Sequence, residues 1–529
     1  MTSTYTNLQS RGNSLFLRYR NGRDDVLEKI SSDDYRPRFW VPQPEKSDIT
    51  DLRGYHNLKQ VETDSIEDFR EITKIQRSAN SGLIFGMENL PVQYIQQMFP
   101  QRTEMQKNNI RKFIVDIETS DKGDFPDWNN PVVPIRAISL IDSYTQEIHA
   151  FYCGGWSKED SKDLTAEELE RVVLHSATDE NNLLSQFLWF WRNSTPDICS
   201  GWNSDGFDFP YIYARAELLL GESNAKRLSP WGMINWKKFT NRYGKEQEEV
   251  EFFGISHLDY LQLYIKHTLK MRDSYKLDNI AFVELGDRKV DWHAEAATLD
   301  ELYEKNPQRY LDYNIKDVLI VERLDKKLRL FDLVADVAYL AGVNYNDTFS
   351  PVKVWDALIY DHLMKKGVII PMTKSTDWSE DSSTGTPTGK FEGAYVKDPK
   401  MGLHGWMIGF DYTSLYPSII RQWNLGVDTI VNQLSTTDKT IESVFGKRLV
   451  EEYLSDDQTI PNVLHQFCVD NGVCIAMNGT MYGNNKDSFL RSIMGTLFDE
   501  RKRSKGVSKN AKKQLVEIET ELKARGVSL

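Results

Sequence analysis

Alternating apolar and polar residues divide this chain into five segments. Residues 1–105 contain short apolar runs between turn residues, a pattern that predicts strands, turns and a few helices in a small N-terminal domain. Residues 106–330 begin with an apolar strand at residues 112–116 and then alternate strand and helix patterns, which is typical of an α/β domain with a mixed sheet. Residues 331–385 begin apolar and helical, become rich in Ser, Thr and Gly, and are expected to return to the N-terminal domain.

The last two segments combine a strand pattern with a long charged helical pattern. Within residues 386–487 a strand pattern resumes at Gly393, and the apolar run MIGF before Asp411 predicts a buried strand. Residues 488–529 predict two helices, the second of which begins near Ser508, where Lys and Glu recur at helical spacing. We therefore expect a multidomain protein that combines α/β and α+β domains.

Composition and charge limit the classes of protein to which this chain is expected to belong. The hydrophobic fraction of 40% and the charged fraction of 27% are ordinary for a globular chain, and 529 residues suffice for several domains. The net charge of −13 argues against a protein that coats nucleic acid non-specifically, but it is compatible with an enzyme that clusters its charges. Because the sequence has no run of 18 apolar residues and no leader-like start, neither a membrane span nor export is expected. The four cysteines lack metal-ligand spacing and are expected to be free thiols.

A pair of carboxylates ends the first strand of the α/β segment. Asp116 and Glu118 lie two apart in FIVDIET, and the two-residue period of a strand places both on one face while Ile117 points to the other. Adjacent carboxylates repel each other and, when partly buried, need a proton or a cation. Two divalent metal ions would supply that charge. A D-x-E pair alone is common by chance, so a metal site requires further acids.

Three more residues of the same segment extend the pair of carboxylates to four acids and a tyrosine. Asp208 follows a turn in GWNSDGFDFPYIYAR, and Tyr313 and Asp317 lie four apart on one helical face in YNIKDVLIVERL. Each piece alone also fits a capped loop or a surface pair on a helix. Together, in this order on strand, loop and helix, the residues resemble the three exonuclease motifs of the proofreading domain of family B DNA polymerases, the DEDD type with a tyrosine.

This resemblance implies a ribonuclease H-like 3′–5′ exonuclease domain at residues 106–330, which hydrolyses phosphodiester bonds with two divalent ions, Mg²⁺ or Mn²⁺. It implies that Asp116 bridges both ions, that Glu118 and Asp317 hold the ion with the attacking water, and that Asp208 holds the other. Tyr313 would orient the water. A single-stranded 3′ end would be held by backbone contacts and base stacking, so cleavage would be largely independent of sequence.

A second group of residues lies in FDYTSLYPSIIR, residues 410–421. Asp411 ends the predicted strand, and from Ser414 to Tyr416 the chain turns into a helix whose first backbone amides are free. A carboxylate beside such amides can hold a divalent metal and a triphosphate together. The ordinary alternative is a strand followed by a Pro-bounded helix with an N-capping Thr or Ser. Because SLYPSII accompanies the acid, the segment resembles motif A of family B DNA polymerases.

The resemblance to motif A implies half of a polymerase site in a partial palm, residues 386–487. The implied roles are ligation of two catalytic metals by Asp411 and the carbonyl of Tyr412, contacts of the Ser414 and Leu415 amides with the β- and γ-phosphates, and exclusion of a 2′-hydroxyl by Tyr416. Downstream, FDERKRSK resembles the first helix of the fingers, which implies a partial fingers domain at residues 488–529. The implied phosphate ligands there are Arg501, Lys502 and Lys505. A solvated helix face is the alternative for these basic residues.

Two motifs of a complete polymerase site do not occur in the sequence. Motif B is a helix with Lys and then Asn-Ser-x-Tyr-Gly, and NGTMYG at Asn478 is one residue too long for it, so we interpret it as a connector from palm to fingers. Motif C, Asp-Thr-Asp between apolar strands, is also absent. Nearly all 529 residues resemble the N-terminal portion of the family B polymerases of T-even-type bacteriophages. We expect one half of a split polymerase, with a truncated fragment as the alternative.

Three hypotheses for the function result. The leading one is a subunit of a split replicative polymerase with a complete exonuclease, acting on single-stranded and primer–template DNA with dNTPs in the cytoplasm of an infected bacterial host. A C-terminal polypeptide would bring motifs B and C and would connect the enzyme to a sliding clamp. The second is a free-standing 3′–5′ exonuclease with a structural polymerase remnant. The third is a non-catalytic DNA-binding module of the replisome, which a nuclease assay would distinguish from the others.

Overall fold

The computed structural model describes residues 3–79, 83–120, 126–240, 246–268, 270–372, 398–411, 414–433, 462–476 and 480–525. Within these residues the strands are β1 (Thr4–Arg11), β2 (Ser14–Asn21), β3 (Asp24–Ile30), β4 (Arg38–Gln43), β5 (Thr50–Asp51), β6 (Asn57–Glu62), β7 (Lys112–Thr119), β8 (Ile135–Asp142), β9 (Ile148–Tyr152), β10 (Val172–Ser176), β11 (Ile198–Ser200), β12 (Ile234–Thr240), β13 (Glu246–Phe252), β14 (Ser256–His257), β15 (Val368–Ile369), β16 (Ile430–Gln433), β17 (Val473–Ile475) and β18 (Thr480–Gly483). The strand expected at Gly393 and the polar stretch before it lie outside the described residues.

The α-helices of the described residues are α1 (Ile66–Ala79), α2 (Leu90–Met98), α3 (Ala166–Arg171), α4 (Glu180–Asn193), α5 (Asp208–Leu220), α6 (Glu222–Ala225), α7 (Tyr260–His267), α8 (Leu277–Leu285), α9 (Leu299–Lys305), α10 (Pro307–Leu328), α11 (Leu330–Ala341), α12 (Pro351–Met364), α13 (Leu415–Gln422), α14 (Asn462–Asn471) and α15 (Phe489–Ala524). Short 3₁₀ helices lie at Arg102–Glu104, Lys107–Asn109, Lys226–Leu228, Tyr345–Phe349 and Val427–Thr429. Among these helices, none has the length and apolar character needed to cross a bilayer.

Contacts divide the chain into two compact units. One unit consists of Met1–Phe39, Val61–Ile75 and Met87–Asp361, and the other of Trp40–Gln60, Gln76–Gly86 and His362–Leu529. The first contains the antiparallel sheet β1–β2–β3, the hairpin β12–β13 and a six-stranded sheet, whereas the second contains the sheet β16–β18–β17. The domain boundaries expected after residues 105, 330, 385 and 487 stay predictions.

The six-stranded sheet confirms the predicted α/β architecture with a mixed sheet. Its strand order is β10–β9–β8–β7–β11–β14, in which β7, β8 and β9 are antiparallel neighbours and the remaining pairs are parallel. Phe113, Val115 and Ile117 lie on one face of β7 and join the buried core with apolar residues of α4 and α5. Since strand residues alternate between faces, Asp116 and Glu118 lie on the opposite face, as the sequence predicts.

Helix α10 covers the face of the sheet that carries these two acids. It begins at Pro307, whose missing N–H costs nothing in a first helical turn, and the side chain of Asn306 caps it by accepting from the amide of Arg309. Apolar residues at helical spacing, including Leu311, Ile315 and Val318, are fully buried and fix the rotation of the helix about its axis. This rotation places Asp317 beside β7.

Two predictions for the second unit are wrong. Helix α15 runs without a break from Phe489 to Ala524, so no second helix begins at Ser508. Each of the two interior glycines, Gly495 and Gly506, costs only about 1 kcal/mol relative to Ala, and the sequence of the helix has no proline to stop it. The run before Asp411 is not a strand, and the side chains of Met407 and Phe410 are 83% and 88% exposed. An apolar run becomes a strand only where a neighbour satisfies its backbone groups, and β16, β17 and β18 pair with one another instead.

A glycine allows the chain to leave the sheet next to the acids. Strand β11 pairs with β7 only as far as Ser200 and Ile114, after which the chain turns toward α5. A Cβ atom on Gly201 would lie 2.4 Å from the carbonyl oxygen of Val115 and 2.9 Å from the Cβ of Ser204. The turn therefore approaches the backbone of β7 more closely than any residue with a side chain permits.

Replacing this glycine is expected to destabilise the first unit. Gly201→Ala should lower the free energy of unfolding by about 1–3 kcal/mol, since the methyl group forces the turn away from β7. Gly155→Ala is the matched control because a Cβ there meets nothing within 4 Å. Urea unfolding followed by tryptophan fluorescence measures both variants, and equal midpoints for the two would contradict the close approach.

Candidate functional site

Three of the predicted acids converge in the first unit. One carboxylate oxygen from each of Asp116, Glu118 and Asp317 lies within 4.8 Å of the other two. Strand β7 contributes the first two residues and α10 the third. Asp208 begins α5 and accepts a hydrogen bond of 3.1 Å from the backbone amide of Ile117, the residue between the two acids of β7. The fold therefore joins a strand, a turn and a helix at one place.

Burial raises the pKa values of all four acids, and repulsion within the group adds to the shifts of Asp116 and Glu118. Burial raises the pKa of Asp116 well above its usual value, and the charges of Asp317, Asp208 and Glu118 add to the shift. Burial and then the charge of Asp317 raise the pKa of Glu118 to about 8. Burial raises the pKa of Asp208 to about 7, and it also raises that of Asp317, although Lys289 opposes the change. Full ionisation of the group is thus costly unless protons or cations are present.

Lys289 supplies positive charge at this group. Its ammonium forms an ion pair with Asp317, donates a hydrogen bond of 2.9 Å to the phenol oxygen of Tyr313, and lies 4.8 Å from the centroid of that ring. Burial by itself lowers the pKa of Lys289, but the charges of Asp317, Tyr313 and Asp116 outweigh burial and raise it. Burial and Asp317 raise the pKa of Tyr313, so its phenol keeps its proton at neutral pH.

Asn314 fixes the orientation of a predicted acid. Its side chain is fully buried, and its Nδ2 donates a hydrogen bond of 2.8 Å to Oδ2 of Asp116. The Oδ1 atoms of Asn314 and of Asp317 are buried, and neither has a hydrogen-bond partner within the described part of the chain. Buried acceptors without donors are costly, so these two oxygens mark a place where a polar ligand or ion would be favourable.

Sequence reasoning missed both Lys289 and Asn314. A signal for Asn314 existed, because it lies three residues before Asp317 and therefore on the same helical face. No comparable signal existed for Lys289, which lies in the irregular segment between α8 and α9, 28 residues before its partner. Only the tertiary fold brings that lysine to the acids.

In the second unit, the structure brings two of the residues predicted to bind nucleotide together. Helix α13 begins directly after Ser414, which has a left-handed φ of 56°, and the guanidinium of Arg501 on α15 donates a hydrogen bond of 3.3 Å to the Ser414 hydroxyl. The guanidinium of Arg421 also lies 4.6 Å from the ring centroid of Phe498, which joins the two helices a second time. The predicted turn into a helix is confirmed.

The remaining residues of this half-site lie open to solvent or outside the described residues. The members of the half-site whose side chains are exposed to solvent are Asp411, Leu415, Tyr416, Lys502 and Lys505. Tyr412 lies outside the described residues. Among the described residues, Asp411 does not belong to any group of three or more metal-ligating side chains. Within its described residues, the second unit therefore presents a basic helix beside a helix start, but not a complete metal centre.

Comparisons with known families agree with both units. Residues 92–280 match the family described as DNA polymerase family B, exonuclease domain. Residues 352–521 match the family described as DNA polymerase family B. The first match contains the strand and turn that carry Asp116, Glu118 and Asp208, and the second contains Asp411 and Arg501.

Individual relatives extend the similarity to nearly the whole chain. The chain is 29% identical over 528 residues to the DNA-directed DNA polymerase of Escherichia phage RB69, covering 96% of this chain and 54% of that protein. It is 30% identical over 522 residues to the enzyme of the same name from Enterobacteria phage T4, covering 95% and 54%. The DNA polymerase delta catalytic subunit of Candida albicans is 30% identical over 268 residues, covering 48% and 24%. The chain spans about half the length of the two phage relatives. It belongs to DNA polymerase family B.

Proposed function

We propose that residues 106–330 form a 3′–5′ proofreading exonuclease and that the later residues form half of a template-directed DNA polymerase site. The observation that carries the nuclease proposal is the buried group of Asp116, Glu118 and Asp317, whose oxygens lie within 4.8 Å of one another. Asp208, bonded to the backbone between the first two, gives a fourth acid. The names of the phage relatives support a role in DNA replication.

The donor set fits two divalent ions, Mg²⁺ or Mn²⁺. Hard divalent cations prefer carboxylate oxygens, and the raised pKa of Glu118 and the unpartnered Oδ1 of Asp317 are features that a cation would relieve. Asp116, Glu118 and Asp317 would hold one ion, and Asp116 and Asp208 the other. When bound, such ions activate water for hydrolysis and stabilise the leaving oxygen.

The residues of the chain would orient the reactants. Tyr313 retains its proton and can donate a hydrogen bond to the attacking water, while Lys289 holds the phenol and Asp317 in place. Asn314 fixes the rotation of the Asp116 carboxylate. Because none of these proposed roles involves contact with a base, we expect the substrates to be single-stranded 3′ ends of any sequence, including a frayed primer on primer–template DNA.

The polymerase proposal rests on the second unit. Asp411 and the carbonyl of Tyr412 would ligate metal, Ser414 and Leu415 would contact the dNTP phosphates through their amides, and Tyr416 would exclude ribose. The hydrogen bond from Arg501 to Ser414 supports a phosphate site at this place, with Lys502 and Lys505 farther along the same helix. Motifs B and C would come from a C-terminal polymerase segment, which the sequence predicts to be a separate polypeptide that also provides contact with a sliding clamp. The chain is therefore a DNA-directed DNA polymerase that is incomplete alone.

A free-standing exonuclease is the second candidate. The observation that favours it is that every acid of the proposed nuclease site, together with Tyr313, Lys289 and Asn314, belongs to the first compact unit. Nothing in that arrangement requires the second unit. The two candidates differ in whether the second unit takes part in nucleotide incorporation.

Removal of the two acids of β7 is expected to abolish most of the nuclease activity. The double variant Asp116→Ala and Glu118→Ala should lose more than about a hundredfold of the metal-dependent degradation of single-stranded DNA, because the cation ligands are removed. The double variant Glu167→Ala and Glu170→Ala removes two exposed acids and serves as the control. A gel assay of a 5′-labelled oligonucleotide measures both. Equal activity of the two double variants would exclude the nuclease proposal.

Stabilisation of the protein by Mn²⁺ is expected to depend on pH. Folding raises the pKa of Glu118 from 4.5 to about 8 and that of Asp208 from 3.8 to about 7. At a pH between the unfolded and the folded pKa of each residue, the folded protein therefore binds more protons at these two carboxylates than the unfolded chain does. Their contribution to stability is therefore fully present at low pH and is lost as pH rises through the folded pKa values. Mn²⁺ should replace those protons and raise the melting temperature more at pH 8 than at about pH 6.

The control for this measurement is the double variant Asp116→Ala and Glu118→Ala, in which the pH dependence of the Mn²⁺ effect should disappear. Differential scanning calorimetry with and without Mn²⁺ gives the shifts. An equal shift at both pH values in the unmodified protein would contradict proton release from these acids.

The exposed run before Asp411 is expected to become protected when a polypeptide with motif C is added. Adding a polypeptide that carries motif C should slow hydrogen exchange at residues 407–411, because their backbone amides would gain strand partners, and should permit dNTP incorporation. Asp411→Ala is the control variant, which should gain the same protection without incorporation. Protection of residues 407–411 that is equal with and without the added polypeptide would favour the free-standing exonuclease.

A further inference from the structure

The carboxylate of Asp259, which is not one of the four acids, accepts hydrogen bonds from the turn that precedes Asp208. Asp259 is 1% exposed and caps α7, where it accepts from the amides of Leu261 at 2.7 Å and Gln262 at 3.3 Å. The same carboxylate reaches across to the turn after β11. Its Oδ1 accepts from the amide of Asn203 and its Oδ2 from the amide of Asp205, both at 3.2 Å.

The cap alone does not explain an aspartate at this position. A helix N-cap needs one acceptor oxygen, and Ser or Asn serves as well as Asp. Asp259 uses its second oxygen, Oδ2, for the turn and not for the helix. A buried carboxylate is costly unless its oxygens find donors, and half of these donors belong to the turn.

Other hydrogen bonds also help to define this turn, because the amide of Gly206 donates to the carbonyl of Asn203 at 3.1 Å and the amide of Phe209 donates to the carbonyl of Ser204 at 3.2 Å. Asn203 has a left-handed φ of 67°, which is uncommon for a residue with a side chain. Ser204 forms a hydrogen bond of 3.1 Å with Nε2 of His257, so β14 and the start of α7 hold three successive residues of the turn. Three residues after Asp205, Asp208 starts α5 and accepts from the amide of Ile117.

We propose that Asp259 is a positioning residue of the nuclease site, whose carboxylate holds the 203–205 turn and thereby places Asp208 against the acids of β7. This inference rests on the proposed nuclease function, because Asp208 matters only if it helps to hold cations. Asp259 is neither a proposed cation ligand nor a substrate contact in this role, although its charge adds to burial in raising the pKa of Asp208. It acts through the backbone of the turn.

Two substitutions separate this role from helix capping. Asp259→Asn keeps the Oδ1 acceptor but turns an NH₂ group toward the amide of Asp205, so it opposes a donor with a donor. Asp259→Ser keeps the cap of α7 and removes the second oxygen. Asp179→Ser is the matched control, since Asp179 caps α4 through the amide of Asn182 at 2.9 Å and is exposed.

The test combines three measurements on the full chain. Both Asp259 variants should raise the Mn²⁺ concentration for half-maximal nuclease activity by about tenfold and lower kcat, with little change in KM for single-stranded DNA, as expected for loss of a ligand-orienting partner. Calorimetric titration with Mn²⁺ alone should show the same loss of affinity without any DNA. Hydrogen exchange should accelerate at residues 203–206 but not along α7 in Asp259→Ser. Asp179→Ser should match the unmodified protein in all three.

The outcomes distinguish the two proposals. If the unmodified protein degrades DNA and the Asp259 variants keep its Mn²⁺ dependence and its exchange at residues 203–206, the positioning role is wrong and the nuclease proposal stands. If exchange at α7 accelerates in Asp259→Ser as much as at the turn, Asp259 is only a structural cap, and the positioning role is likewise wrong. If the unmodified protein neither degrades DNA nor binds Mn²⁺, both proposals fail.

Discussion

Repulsion among buried carboxylates is the constraint on which the first unit depends. Asp116, Glu118 and Asp317 lie close together, burial raises the pKa values of all three, and the charge of Asp317 adds to the shifts of Asp116 and Glu118. The surrounding chain limits this cost with the Lys289 ammonium and the Asn314 amide, while the backbone N–H of Ile117 compensates Asp208. Within the described residues these donors leave the Oδ1 atoms of Asn314 and Asp317 without partners, and that deficit supports the proposed binding of cations.

The geometry of the six-stranded sheet also helps to accommodate the buried carboxylates. Strand β11 ends after three residues, so the edge of β7 near the acids is free of a strand neighbour and its Ile117 amide is available to Asp208. Gly201 allows the chain to turn close against β7, and Asp259 holds the turn that follows. A longer β11 would satisfy the amide of Ile117 within the sheet and would leave Asp208 no place beside the acids.

The second unit differs, because among the described residues its Asp411 is exposed and does not belong to a group of acids held by nearby donors. Its basic helix contacts Ser414, but the apolar residues before Asp411 remain exposed in the described chain. Exposed apolar residues next to a backbone without strand partners form a surface that favours association.

The sequence by itself determined the elements whose signals are local. The alternation in FIVDIET placed Asp116 and Glu118 on one face, and the four-residue spacing placed Tyr313 and Asp317 on one helical face. Resemblance to a family joined these pieces, and the roles of the acids stay predictions. The tertiary structure alone decided that Lys289 compensates the acids and that Asp259 binds the turn before Asp208, because these two residues lie in an irregular segment and at a helix start, which have no periodic signal. It also decided the fate of the run before Asp411 and of the region around Ser508, since strand formation needs a partner and helix continuation needs only the absence of a strong breaker.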